Sequence, residues 1–174
     1  ENFGRIVNAA SLADRAGEPV SVHIDASKPG AFPAAVVDFG QEVVGYPEIR
    51  VLAPEGGVLR IAYGESLELT PVDTFILKSG QNVLQPFGRR ACRFMRLEFS
   101  ATPVPVTVNG FKFVLTHYDF PFEGSFETND PLLNQIWEIS KYTTMMNSQE
   151  HLEDCPWREK ALWVVDAIVM GKVI

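Results

Sequence analysis

Across residues 161–170 only Asp166 is not apolar. A helix that is apolar on every side belongs inside a larger body, so this run predicts a buried helix needing partners around it. An ionised carboxylate buried there is costly unless it faces a polar site, which makes Asp166 a candidate functional acid. Glu159 stands seven residues earlier, close to two helical turns. If one helix carries both, their backbones lie roughly 10.5 Å apart along its axis with the side chains on one face. The expectation is an acidic pocket on one side of that helix.

The rest of the chain has a different texture. Residues 3–116 read as β-structure, in short segments rich in Val, Ile, Phe and Tyr: VSVHID (20–25), AAVVDFG (34–40), EIRVLA (48–53), VLRIAYGE (58–65), FMRLEF (94–99) and FKFVLT (111–116). Turn signals punctuate them at Lys28-Pro29-Gly30, Pro54-Glu55-Gly56-Gly57, Ser79-Gly80 and Asn109-Gly110. Short strands with regular turns predict a β-sandwich or jelly roll. Asn109-Gly110, between VPVTV and FKFVL, predicts a two-residue hairpin.

After Tyr118 the pattern becomes helical. Asn129 is the expected N-cap of a first helix with Pro131 in its opening turn. Leu132, Leu133, Ile136, Trp137 and Ile139 follow at helical spacing to Met145 or Met146. A polar link, 147–153, leads to a second start with Asp154 as N-cap and Pro156 in the first turn, running to the chain end. Two such helices leave broad apolar faces uncovered, so the helical part reads as truncated, or as completed by another chain.

Composition removes several functions. A net charge of −7 without a basic cluster argues against nucleic acid. No apolar stretch approaches the roughly 20 residues of a membrane span. The two cysteines, Cys92 and Cys155, form no metal-type spacing and no disulfide framework, and leave the compartment open. No cofactor is expected. The chain opens on ENFGRI without an initiator Met or a visible signal peptide, and reads as excised from something longer.

Asp154-Cys155-Pro156-x-Arg158-Glu159-Lys160, followed by Trp163 and Asp166-Ala167, resembles the signature of the α-L-rhamnosidases of glycoside hydrolase family 78. Upstream, VDFGQEVVGYPEIRV (37–51), IAYGESL (61–67) and PFGRRACRFMRLEF (86–99) resemble that family's β-sandwich, and GSFETNDPLLNQIW (124–137) resembles its first barrel helix. The match is colinear. It implies a β-sandwich domain over residues 1–117 and the start of an (α/α)6 barrel catalytic domain over 118–174. The implied reaction is hydrolysis of terminal α-L-rhamnose with inversion, in which one carboxylic acid protonates the leaving oxygen and a second carboxylate activates water from the opposite face. By position Glu159 matches the general acid, while Asp154, Arg158, Trp163 and Asp166 match residues lining the sugar site. The implied partners are a rhamnose-containing oligosaccharide or glycoside, the remainder of the barrel, and in one reading a second copy of the chain.

No segment here matches the general base. Asp166 is also disfavoured for that role, because two carboxyls on one helix face approach the sugar from one side while acid and base must flank it. The residue before Asp166 is commonly Gly in the family, whereas here it is Val165, which bears on substrate choice. Two other readings remain: a six-hairpin glycosidase acting on another sugar, and a non-catalytic carbohydrate-binding sandwich.

Read without the resemblance, the same residues have plainer roles. Asp154 caps a helix, Glu159 is a first-turn acid favoured by the helix dipole, Arg158 pairs with Asp154 four residues away, and Asp166 pairs with Lys160 or a missing helix. Trp137, Trp157 and Trp163 fill helical cores, with Trp163 the best exception because it lies four residues after Glu159. His151 is a loop residue three positions before Asp154.

Overall fold

The computed structural model describes residues 5–7, 21–121 and 123–172. The expected start of β-structure at Phe3, residue 20 of the first segment and the chain end at 173–174 lie outside these. The chain forms two compact units that divide between Val114 and Leu115.

The first unit is an eight-stranded sheet. Its strands are β1 (Arg5–Val7), β2 (Val22–Asp25), β3 (Ala34–Ala53), β4 (Gly57–Gly64), β5 (Thr70–Leu77), β6 (Gly80–Leu84), β7 (Arg90–Ser100) and β8 (Val106–Leu115). They are ordered β1-β2-β8-β3-β7-β4-β5, with β6 paired to β3. Strands β4 and β7 alternate: Leu59, Ile61 and Tyr63, with Met95, Leu97 and Phe99, point into the core. Arg60, paired with Glu98, and Arg96 look outward. This period of two is what a half-buried strand requires, and the sheet folds as the expected sandwich.

The strand inventory differs from the sequence reading in an instructive way. Residues 34–40 and 48–53, read as two strands, belong to the single twenty-residue β3. A register shift between Asp38 and Val43 interrupts its pairing with β7, and its far end pairs with β6 from Ile49 to Ala53. Gly40 takes φ +77° at this irregularity, and its N–H donates to Asp38 Oδ1 at 2.8 Å. Bulges bend a strand where it passes from one layer to the other, so one strand serves both neighbours.

Asn109-Gly110 makes no hairpin; β8 runs straight through it. The glycine is needed for space, since a Cβ at Gly110 would stand 2.9 Å from Arg50 Cδ. The Asn109 side chain exchanges two 3.1 Å amide hydrogen bonds with Gln81. By contrast the Pro54–Gly57 turn is as expected, with Gly56 at φ +85° and a Cβ there only 2.7 Å from the Leu77 carbonyl oxygen.

Strand β5 went unread because Thr70-Pro71-Val72-Asp73 carries turn chemistry. It lies at the end of the strand order, where proline is tolerated. Its Asp73 anchors it: Tyr63 Oη donates to Oδ2 at 2.8 Å, and Arg90 binds both oxygens at 3.0 and 2.7 Å.

The second unit carries α1 (Pro131–Met146) and α2 (Val164–Met170). The cap of α1 is Asp130 rather than Asn129, its carboxylate accepting from Leu132 N–H at 2.9 Å, with Pro131 opening the helix as expected. Asn134 reaches back to Thr128, and Phe126 stacks on Trp137 at 5.4 Å between ring centroids. The link after α1 returns to the segment before it: Tyr118 N–H donates to Ser148 O at 2.7 Å and Gln149 Nε2 to Thr116 O at 2.8 Å.

The second helix departs most from expectation. It begins at Val164, not near Asp154, and residues 156–159 form a turn. Lys160 takes φ +53°, a left-handed value that no right-handed helix admits. Nor is α2 buried in this chain, since none of its residues is and Val165 is 74 % exposed. Among the described residues no helix is long and apolar enough to cross a membrane.

Candidate functional site

Three of the expected site residues, Asp154, Arg158 and Glu159, sit on one closed loop. Asp154 N–H donates to the Ala161 carbonyl at 2.9 Å, and Ala161 N–H returns a bond to Asp154 Oδ1 at 3.0 Å. This reciprocal pair ties off residues 154–161 and is the reason the helix does not start earlier. Asp154 therefore caps a loop and not a helix. Pro156 is buried at the start of the turn, where its fixed φ suits the first position. His151 Nε2 pairs with the Lys160 carbonyl at 3.1 Å, a second staple across the same loop.

Inside this frame the polar groups converge. Glu159 N–H donates to Cys155 Sγ at 3.4 Å. Trp163 Nε1 donates to Glu159 Oε2 at 3.1 Å, and Arg158 Nη2 lies 3.3 Å from Glu159 Oε1. The expected pairing of Arg158 with Asp154 is thus replaced by a neighbouring pair, because four residues in a turn do not span what a helical turn would. Arg158 is largely exposed, so its pair with Glu159 contributes little to stability.

Asp154 is the electrostatic centre of the loop. The Ala161 N–H holds its carboxyl below the ordinary aspartate value, against an opposing push from burial. The Cys155 N–H, the Glu159 side chain and the Cys155 thiol add to the lowering.

Asp166 stands apart. It lies in the first turn of α2, exposed, and among the described residues no hydrogen bond or ion pair joins it to Glu159, Asp154 or Lys160. The picture of Glu159 and Asp166 on one helix face is corrected: Glu159 belongs to the turn, and the left-handed Lys160 separates it from the helix. What links the two regions is Trp163, which occupies the N-cap position of α2 while its indole holds Glu159.

Sequence reasoning missed the roles of Cys155 and His151. The signal for Cys155 was its position between Asp154 and Pro156, but nothing in the sequence announced that its sulfur would meet the Glu159 amide. Glu153, 2 % exposed, was also passed over as a linker residue. Among the described residues no group of three or more His, Cys, Asp or Glu side chains is placed to hold a metal ion.

Two family profiles match the chain in order. That described as bacterial alpha-L-rhamnosidase concanavalin-like domain covers residues 32–98, and that described as bacterial alpha-L-rhamnosidase 6 hairpin glycosidase domain covers residues 121–173. An alpha-L-rhamnosidase of Formosa agariphila is 31 % identical over 151 residues, which are 76 % of this chain and 16 % of that protein. One of Streptomyces avermitilis is 29 % identical over 160 residues, 83 % of this chain and 15 % of its own length. The chain thus spans about a sixth of these relatives.

Among solved structures, the fold matches a family 78 rhamnosidase of Bacillus sp. GL1 with a TM-score of 0.74 at 22 % identity, covering 92 % of this chain and 18 % of that one. It matches a Klebsiella oxytoca rhamnosidase with rhamnose bound at a TM-score of 0.68 and 19 % identity, covering 94 % and 34 % respectively. With both profiles in the order that residues 37–99 and 124–167 suggested, the chain belongs to the α-L-rhamnosidases of glycoside hydrolase family 78, of which it carries the sandwich and the first helices of the six-hairpin domain.

Proposed function

We propose that this chain is the acid-bearing part of an inverting α-L-rhamnosidase, with Glu159 as general acid. In this reading residues 1–117 are the sandwich domain, and residues 118–174 open the catalytic barrel. Asp154, Arg158, Trp163 and Asp166 line the sugar site. The general base comes from a later hairpin of the barrel. The substrate is a glycoside ending in α-L-rhamnose.

The observation that carries the reading is the Glu159 carboxyl held by Trp163 on a closed loop, with Asp154, whose carboxyl the Ala161 N–H holds below the ordinary aspartate value, on the same loop. In the reaction Glu159 gives its proton to the glycosidic oxygen as the bond from that oxygen to the anomeric carbon breaks. The base takes a proton from water, whose oxygen bonds the anomeric carbon from the opposite face. The products are the free aglycone alcohol and rhamnose of inverted configuration. Solvent then returns a proton to Glu159 and removes one from the base.

The test is Glu159→Gln in a full-length rhamnosidase carrying this segment. General acid catalysis contributes about 10²- to 10⁴-fold, so kcat on a poorly activated rhamnoside falls by that much. A nitrophenyl rhamnoside, whose leaving group needs little protonation, loses far less. Equal rates for variant and parent on the poor leaving group would overturn the assignment. A panel of other aryl glycosides decides the sugar: hydrolysis of another glycoside in preference to the rhamnoside would select the alternative six-hairpin specificity.

A further inference from the structure

The N-cap of α2 is occupied by Trp163, a residue that makes no side-chain bond to the helix it opens. Ser, Thr, Asp and Asn are the residues that satisfy that position, so tryptophan here is not explained by capping. Nor is the ring packed away, since it is 54 % exposed. Its one directed bond goes backwards, from Nε1 to Glu159 Oε2 at 3.1 Å. The residues between, 160–163, turn through the left-handed Lys160 and then run extended into Trp163, at φ −101° and ψ 131°. That path brings the indole over the Glu159 carboxyl.

Glu159 is consequently fixed at two independent places. Its backbone N–H is held by Cys155 Sγ at 3.4 Å, and its carboxyl by the indole N–H. Its side chain also meets Arg158 in an exposed pair at 3.3 Å and acts on the neighbouring Asp154 carboxyl. An indole N–H only donates, so it engages Oε2 as an acceptor and fixes the carboxyl's orientation.

We infer that Trp163 is a positioning residue for the acid: its N–H orients the Glu159 carboxyl, a duty separate from any contact of its ring with sugar. This rests on the proposed role of Glu159. It makes the N-cap of α2 part of the acid machinery, and it explains why a helix that starts poorly starts where it does.

The inference is tested in a full-length rhamnosidase carrying this segment, by Trp163→Phe and by replacing Trp163 with its benzothienyl isostere, in which sulfur takes the place of the ring N–H. Both keep an aromatic face and remove the donor. The expected result is a drop in kcat of about 10- to 100-fold on a poorly activated rhamnoside, the scale of one lost hydrogen bond to a charged group. KM stays within about twofold, and the high-pH limb of the kcat profile moves to higher pH because the ionised carboxyl has lost a donor. Parent-like kcat and pH profile in the isostere would overturn the inference, as would a rise in KM alone, which is the mark of a sugar platform.

Trp163→Phe leaves the space of the second ring empty, whereas the isostere preserves the shape, so a deficit shared by both reports the donor. Glu159→Gln run alongside separates the two levels. If it is inactive while the isostere is normal, only the role of Trp163 fails; if it is active, the assignment of Glu159 fails as well.

Discussion

The two units of this chain bury their apolar residues in opposite measure. Among the described residues, the buried apolar side chains run from Val22 to Val108 in the sheet unit, and the helical unit adds Met146 and Pro156. There, Leu132, Leu133, Ile136 and Ile139 of α1 and Val164, Val165, Ile168 and Val169 of α2 are all exposed. The contrast follows from periodicity. Alternating strands stacked in two layers supply each other's inner face, while an isolated helix stripe has nothing to meet until another helix arrives. The sheet is a finished core; the helices are half of one.

That difference predicts where substitutions will be felt. The largest effect belongs to the sheet: Phe99, on β7 between β3 and β4, is fully buried. Phe99→Ala removes a packed ring from a closed core and is expected to cost about 3–5 kcal/mol. Urea unfolding of the 174-residue chain, followed by far-ultraviolet circular dichroism, reads the change. A cost below 1 kcal/mol would mean that the sheet does not stand alone as its burial implies.

How much of this was legible in the sequence varies by element. Val58 to Glu65 and Phe94 to Phe99 read as strands from their apolar, β-branched and aromatic content, and β4 and β7 hold them but for Glu65. Asn129-Asp130-Pro131 gave the helix start within one residue, since either Asn or Asp can cap and only geometry chooses. The bulge in β3 was not legible because local pattern shows two short strands and only long-range pairing joins them. Asn109-Gly110 misled because glycine serves close approach as well as turns, and the approach of Arg50 is a tertiary fact.

At the site, the signature residues were found by resemblance, but their geometry was not. Asp154 and Pro156 satisfy the rules for a helix start, yet the bond from Ala161 N–H to Asp154 closes a loop there. A pairing seven residues apart lies outside every short-range rule. Trp163 and Glu159 were placed together by counting along a helix; they do meet, though across a turn.

A second, intermediate effect lies at the edge of the finished core. Burial, helped by the nearby Glu65, pushes the Glu42 carboxyl up from 4.5 to about 7. Burial, with Glu42 nearby, likewise raises the Cys92 thiol to about 12, leaving it a poor nucleophile at neutral pH. A carboxyl with a raised value binds its proton more tightly in the folded chain. Its contribution is therefore fully present below about 4.5 and is lost as pH rises through about 7. Since the group is only half buried, the loss is on the order of 1–2 kcal/mol, less than full linkage would give. Glu42→Gln should flatten stability across that window and leave the variant more stable than the parent at pH 8. Unfolding midpoints at pH 5, 6, 7 and 8 measure it, and an unchanged slope would assign the pH dependence to another group.

The smallest effect is the one that most sharpens the contrast between finished and unfinished cores. Ile136 and Ile139 are 50 % and 57 % exposed on α1, so Ile136→Ser with Ile139→Ser removes little that is packed. In the 174-residue chain the pair should change stability by about 0.5 kcal/mol or less, as surface substitutions do. In a full-length rhamnosidase carrying this segment, where later hairpins supply the missing neighbours, the same pair should cost several-fold more, on the order of 2–4 kcal/mol. Paired melts of the two proteins give the ratio. If the short chain already suffers the larger loss, the stripe is covered without the barrel, and sedimentation would show a second copy of the chain doing it. If neither protein responds, the stripe faces solvent throughout, and these helices do not open a barrel.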